Sequence, residues 1–268
     1  MPSNESKLTK LKGLSYELAE LYAAAQPGEG WHPEYKKNRD NFRKLIRTNI
    51  KLERKFRAYF KDLAKRVTSR ISWSDYNNRL YKADEFFLDD GWEDELLEIR
   101  VNLDQILFDA FMMGAFAQEA ELGFSSGFVP GDQIAQEALR RHVLRLSGQI
   151  NETTIKQIKQ SLISSIQQGL NQFEAGQRLE KLVSNPYRAR MISHTETVRA
   201  YTQGRLEIGI RIGAKEKQWF DGQPGACKVC SALNGMVVGI DEQFPTLIGP
   251  RDGSPAHPWC KCLTKIIL

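Results

Sequence analysis

Residues 40–70 read DNFRKLIRTN IKLERKFRAY FKDLAKRVTS R, and the fold class turns on this stretch. Its apolar positions are Phe42, Leu45, Ile46, Ile50, Leu52, Phe56, Tyr59, Phe60, Leu63 and Val67. They recur mostly at steps of three and four, the period of an α-helix. Lys and Arg fill most of the remaining positions, so the apolar residues form one stripe of an amphipathic helix. At 1.5 Å per residue this helix reaches ~45 Å. A helix of that length packs against another long one, because its stripe needs cover.

Upstream, residues 6–25 carry Leu8, Leu11, Leu14, Leu18 and Leu21 at the same period, and Gln26-Pro27-Gly28 ends that run. Trp31 and His32-Pro33 read as a short linker. Downstream, residues 71–92 are mixed, with Trp73, Tyr76, Tyr81, Phe86 and Phe87 among Asp and Asn and a break at Asp90-Gly91. Helical spacing resumes over 93–122, and the run from Phe108 to Ala117 is apolar nearly all round, so it is expected to be buried. Gly123 to Gly131 is the best linker. A helix over 132–147 comes next, then a start signal at Asn151-Glu-Thr-Thr154, a break at Gly169, a helix over 173–183, and one from Tyr187 to Ile212 opened by Asn185-Pro186.

After Gly213 the texture changes to short β-type runs, 217–220, 236–240 and 263–268, separated by Gly- and Pro-rich turns. The expected fold is therefore mainly α with a small α+β C-terminal module: an elongated helical N-terminal region over 1–130, and a second region over 131–268 in which 214–268 is a Cys/His module resembling a zinc knuckle.

The chain has 268 residues, of which 41% are hydrophobic, enough for a real core and unlike a disordered polymer. Its net charge of +5 hides a sharp arrangement. Residues 36–70 carry 14 basic and 3 acidic side chains, whereas residues 84–121 carry 1 basic and 12 acidic. Two helix faces attracting each other across a bundle would explain this. So would a basic helix that meets nucleic acid or an acidic partner. No stretch approaches the ~18–20 apolar residues of a membrane-spanning helix. The N-terminus MPSNESKLTK lacks a basic patch followed by an apolar run, so a soluble, cytosolic protein without a secretory signal is expected. With six residues after the last cysteine, no appended C-terminal domain is expected either.

All four cysteines fall near the C-terminus, as Cys227-Lys-Val-Cys230 and Cys260-Lys-Cys262, with His257 in His257-Pro-Trp-Cys260. The pattern is C-x2-C, a gap of 26 residues, then H-x2-C-x-C. Two residues between cysteines let a tight turn aim both thiolates at one ion. Cysteines two apart on an extended segment face the same side. Zinc takes four such ligands in a tetrahedron and supplies folding energy to a module with little core. The preferred set is Cys227, Cys230, Cys260 and Cys262, with His257 either replacing one thiolate or standing behind the ligands. Two disulfides, or four buried free thiols, are the other readings. An ion saturated in this way has no open position for water, so the site is structural and no enzyme is expected. A metal-dependent hydrolase using His257 and Glu196 would need such a position. No phosphate loop, nucleophile elbow or HExxH pair occurs.

The order of motifs from Asn151 to the C-terminus resembles the phage Mu F-like minor head protein family, also called head morphogenesis proteins. The resemblance rests on Asn151-Glu-Thr-Thr154, Gly169-Leu-Asn-Gln-Phe-Glu174, the run Tyr187-Arg-Ala-Arg-Met-Ile-Ser-His-Thr-Glu-Thr197, the aromatic pair Trp219-Phe220, Cys227-x-x-Cys230, and Pro255-Ala-His-Pro-Trp-Cys-Lys-Cys262. His194 and Lys261 stand where Arg is commoner. The resemblance implies a low-copy virion component of a tailed bacteriophage, associated with the portal vertex and with DNA packaging or ejection. It implies the portal protein as partner, with scaffold, major capsid protein or packaged DNA as further contacts. It places the chain in the host cytoplasm during assembly and then in the head interior or at the portal vertex. A zinc-stabilised nucleic-acid-binding module is the alternative.

Thr195 and Glu196 sit among Arg188, Arg190 and Arg199, and on a helix Glu196 falls one turn from Arg199. A salt bridge with packing fits these residues better than acid–base chemistry, and a partner contact is the other reading. Arg188, Thr195, Glu196 and Trp219 are thus structural or partner candidates. Trp219, Phe220 and Trp259 are expected to form the small core of the module.

Overall fold

The computed structural model describes residues 31–78, 91–123, 125–129, 132–221 and 226–268. The helix expected over 6–25, and Tyr81, Phe86 and Phe87, lie outside the described residues. Long helices dominate: α1 (Pro33–Lys37), α2 (Arg39–Ser69), α3 (Trp73–Asn77), α4 (Trp92–Leu122), α5 (Gln133–Gln167), α6 (Gln172–Val183) and α7 (Pro186–Arg211). Then follow β1 (Glu216–Phe220), the short α8 (Lys228–Leu233), β2 (Val237–Gly239) and β3 (Leu263–Ile267). The structure is mainly helical with a three-stranded C-terminal sheet, as the periodicity predicts.

The chain divides into two compact units, each assembled from separated pieces of sequence. Unit 1 comprises Met1–Arg47, Ala110–Asp132 and His194–Leu268; unit 2 comprises Thr48–Asp109 and Gln133–Ser193. The regions expected from the sequence, 1–130 and 131–268, divide the chain by order instead.

In unit 2 the stripe of α2 is buried through Leu52, Phe56, Phe60, Leu63 and Val67. Also buried in this unit are Ile99, Leu103, Ile106 and Leu107 of α4, Ile158 and Leu162 of α5, and Leu179 and Val183 of α6. At the end of α2, Arg66 donates to Glu95 (2.7 Å) and Glu98 (2.9 Å), and Arg70 donates to Glu95 (2.9 Å). Basic α2 and acidic α4 do attract each other at this end. Burial alone would raise the Glu95 carboxyl, yet Arg66 and Arg70 outweigh it and the net shift is downward.

One expected boundary is wrong. The helices read as 132–147 and as starting at Asn151 are a single helix, α5. Asn151 is not a cap: its buried amide donates to the Trp92 carbonyl at 3.0 Å, a tertiary partner that spacing does not reveal. Gly148, just before it, continues the helix. Asn171 is the residue that caps, its side chain accepting from the backbone of Phe173 and Glu174 while Glu174 accepts from the Asn171 backbone.

In unit 1, α4 and α7 cross at two glycines. A Cβ on Gly114 would lie 1.9 Å from the Tyr201 carbonyl oxygen, and one on Gly204 would lie 2.0 Å from that of Phe111. Backbone meets backbone here, and only glycine leaves the space. Ala110, Phe111, Met112, Ala115 and Ala117 are buried as the apolar run predicts; Phe116, 47% exposed, is the exception. Arg205 on α7 is fully buried and forms a bidentate pair with Glu121 on α4 (2.9 and 2.6 Å). The sheet has the order β2-β1-β3, antiparallel throughout, with Lys217 opposite Val238 and Trp219 opposite Thr264. β3 rests on α7 at Gly209, where an added Cβ would meet Ile266 at 3.0 Å.

Candidate metal centre

The C-terminal module has little apolar material of its own. Its core is Trp219, Val229, Leu233, Phe244 and Ala256 together with Cys230, Cys260 and Cys262, with Cys227 partly buried at the margin. Trp219 is fully buried and meets Phe244 edge-on at 5.2 Å. The other two aromatics act differently from expectation. Phe220 is half-buried, with His32 at 4.8 Å and the Lys265 ammonium over its ring at 3.7 Å. Trp259 packs on His194 of α7 at 5.3 Å.

Cys227 and Cys230 are brought to one side by α8, whose first turn closes when Ser231 donates to the Cys227 carbonyl. The second ligand segment is bent by a turn from the Cys260 N–H to the His257 carbonyl, and it runs directly into β3. All five candidates converge. The Nε2 of His257 lies 3.0 Å from the Cys227 sulfur and 3.2 Å from the Cys230 sulfur, and the Cys230 and Cys260 sulfurs are 3.7 Å apart. Two overlapping triplets result, Cys227/Cys230/His257 and Cys230/Cys260/Cys262, each with ligand atoms within 4.8 Å of one another. All four cysteines are free thiols.

His257 faces the sulfurs of Cys227 and Cys230. Its Nδ1 faces the Pro258 carbonyl at 2.7 Å and therefore carries a proton, which leaves Nε2 aimed at the sulfurs. Cys262 points partly elsewhere, its sulfur donating to the Asp221 carbonyl at 3.8 Å. The geometry thus groups His257 with Cys227 and Cys230, and groups Cys260 and Cys262 with Cys230, the sulfur common to both sets. Electrostatics follow from this crowding. The Cys230 thiol, and then His257 against the opposing effect of burial, hold Cys227 well below the ordinary thiol value. Burial would lower His257, but Cys227 and the neighbouring thiolates raise it to about 9. Contact with Cys227 pushes the Cys230 thiol up. Sulfur and imidazole donors crowded in this way, sharing protons among themselves, suit a soft, tetrahedral divalent ion, whose binding would displace those protons.

Of the other candidates, Thr195 comes to this centre. Its hydroxyl accepts from the Trp259 N–H at 3.1 Å, within the ligand segment. Trp259 has φ 61°, a left-handed backbone that a bulky residue seldom adopts. The hydrogen bond to Thr195 and the ring of His194 help hold it there. His194 in turn meets Trp31 at 4.9 Å, so Trp259, His194 and Trp31 form a continuous aromatic file. Sequence reasoning missed this role of Trp31 and His194, and only the aromatic composition near His32-Pro33 hinted at it. Glu196 is buried and accepts from Arg199 at 3.1 Å, as its spacing predicts. Arg188 belongs to unit 2, where it donates to the Ile150 carbonyl (3.2 Å) and the Thr154 hydroxyl (2.7 Å) and lies over the Phe60 ring at 4.5 Å.

Residues 156–265 of this chain match the family model described as Phage Mu protein F like protein. The matched span runs from within α5 into β3 and includes all five metal candidates. Comparison with curated proteins found no match, and comparison with solved structures found none either.

Proposed function

We propose, from the premise that this chain is a phage Mu F-like protein through residues 156–265, that it is a minor head protein working in head morphogenesis of a tailed bacteriophage. The observation that carries the reading is the family match, because it takes in α7, β1, β2, the start of β3 and the entire Cys/His cluster as one continuous block. In this reading the chain associates with the portal vertex and acts in DNA packaging or ejection, with portal protein as its first partner and scaffold, major capsid protein or DNA as others. It passes from the host cytoplasm into the head interior or the portal vertex. No helix among the described residues is long and apolar enough to cross a membrane.

The chain assembles rather than catalyses. Cys227, Cys230 and His257, completed by Cys260 or Cys262, would hold a structural zinc ion whose four protein ligands leave no position for a substrate. The ion would lock α8 to the segment that enters β3, stabilising a module with a small core. Two measurements test the reading. Mass spectrometry of purified particles should find peptides of this chain at a few copies per particle. Co-expression with a portal protein from the same source should give a complex that survives size exclusion. A chain absent from particles and free of portal would defeat the proposal.

A further inference from the structure

One surface is not used by the metal centre or the core: the solvent side of α2. Lys51, Arg54, Lys61 and Lys65 are exposed along it, at steps of three, seven and four residues, with exposed Ala58 in the gap of the row. At 1.5 Å per residue the row is ~21 Å long. In the sequence the same spacing continues back through Arg47 and Lys44. Lys51, Arg54 and Lys61 have no acidic partner among the described residues. Lys65 has only a loose pair with Asp62 at 3.8 Å, both side chains more than half exposed. Glu53, the one acid between Lys51 and Lys61, is turned aside and held by Arg57 at 2.5 Å. Arg66 and Arg70, which do have carboxylates, lie beyond this row at the end of the helix.

We propose that this face of α2 binds the phosphodiester backbone of nucleic acid, without reading its sequence, through Lys51, Arg54, Lys61 and Lys65. The chemistry of the row selects that partner over an acidic protein. Protein interfaces concentrate aromatic and apolar residues at their centre and are depleted in lysine. Here the row holds cations and one alanine, with no aromatic anchor among them. A polyphosphate needs only evenly placed cations, whose binding releases condensed counterions. The inference stands on charge and exposure, so it survives or fails independently of portal association.

The test uses the full chain and a 30-base-pair duplex of arbitrary sequence, titrated by fluorescence anisotropy at several salt concentrations. The wild type should bind with a steep, linear fall of log affinity against log salt. The combined variant Lys51→Gln, Arg54→Gln, Lys61→Gln, with folding checked by circular dichroism, should lose at least tenfold in affinity and flatten that slope by about 3. Arg141→Gln, Lys156→Gln, Lys181→Gln, exposed cations elsewhere in unit 2, should change neither. A salt-independent wild type, or a row variant with unchanged slope, would overturn the proposal. Polyglutamate competing as well as duplex DNA at equal charge would also overturn it, in favour of an acidic protein.

Discussion

Unit 2 buries whole stripes of leucine, isoleucine and phenylalanine from four helices, whereas the C-terminal module of unit 1 buries Trp219, Phe244 and a few small apolar groups around sulfur. In unit 2 polar chemistry is an accessory, concentrated where Arg66 and Arg70 meet Glu95. In the module the polar atoms are the centre, and the apolar residues line them. A core of the first kind tolerates damage in proportion to the volume lost. A core of the second kind depends on a few atoms, so its failures should be abrupt.

That contrast is sharpest in the module itself. Cys230→Ser should abolish metal binding and melt the module, since structural zinc contributes on the order of 10 kcal/mol in small domains. Metal analysis of the purified chain together with near-ultraviolet circular dichroism checks this. Retained metal, or an unaltered near-ultraviolet spectrum, would mean that the sulfurs merely pack. Next in size is the α4–α7 crossing. Gly204→Ala must push apart two backbones and should cost about 3 kcal/mol or more. A thermal midpoint unchanged from wild type would show that the crossing can open freely.

In unit 2, Glu95→Ala strands two guanidinium groups of which one is largely buried, for a loss of about 2–3 kcal/mol by urea denaturation. Replacing Arg66 alone should cost less, because Arg70 remains. A pH effect belongs to unit 1. Burial holds His32 near a pKa of about 4 against an ordinary 6.5, while its Nδ1 accepts the Glu34 N–H. The folded chain stays neutral there while the unfolded chain takes up a proton. Stability is therefore full above pH 6.5 and is lost as pH falls toward 4, by about 3 kcal/mol. His32→Asn keeps an acceptor for Glu34 and should flatten this part of a thermal-midpoint profile against pH. The smallest expected effect has the opposite sign. Gly148 lies mid-helix with open space around it, so Gly148→Ala should stabilise unit 2 by about 0.5–1 kcal/mol.

These differences also explain what could be read from the residues alone. α2, α4 and α7 were legible because a buried stripe must repeat at the helical period, and the sheet strands because β-rich runs sit between glycines. α5 was misread at Asn151, since an asparagine before an apolar run signals a cap equally well when its amide serves a distant carbonyl. The five metal candidates were legible from spacing, because ligand geometry is local. The aim of the His257 Nε2 at the Cys227 and Cys230 sulfurs depends on the contact of its Nδ1 with the Pro258 carbonyl and was not legible. Thr195 was visible as a polar residue of interest, yet its partner, the Trp259 N–H, lies 64 residues away and no pattern connects them. The two glycines at the helix crossing look in sequence like ordinary helix-weakening positions. Their purpose appears only when the opposing carbonyl is placed.

Among the five candidates, Cys230 alone belongs to both triplets. Losing Cys227 or His257 leaves Cys230, Cys260 and Cys262 intact, while losing Cys260 or Cys262 leaves the other three. The cluster thus narrows to one sulfur at its middle. A substitution at an outer candidate therefore leaves one triplet whole, while a substitution at position 230 leaves neither.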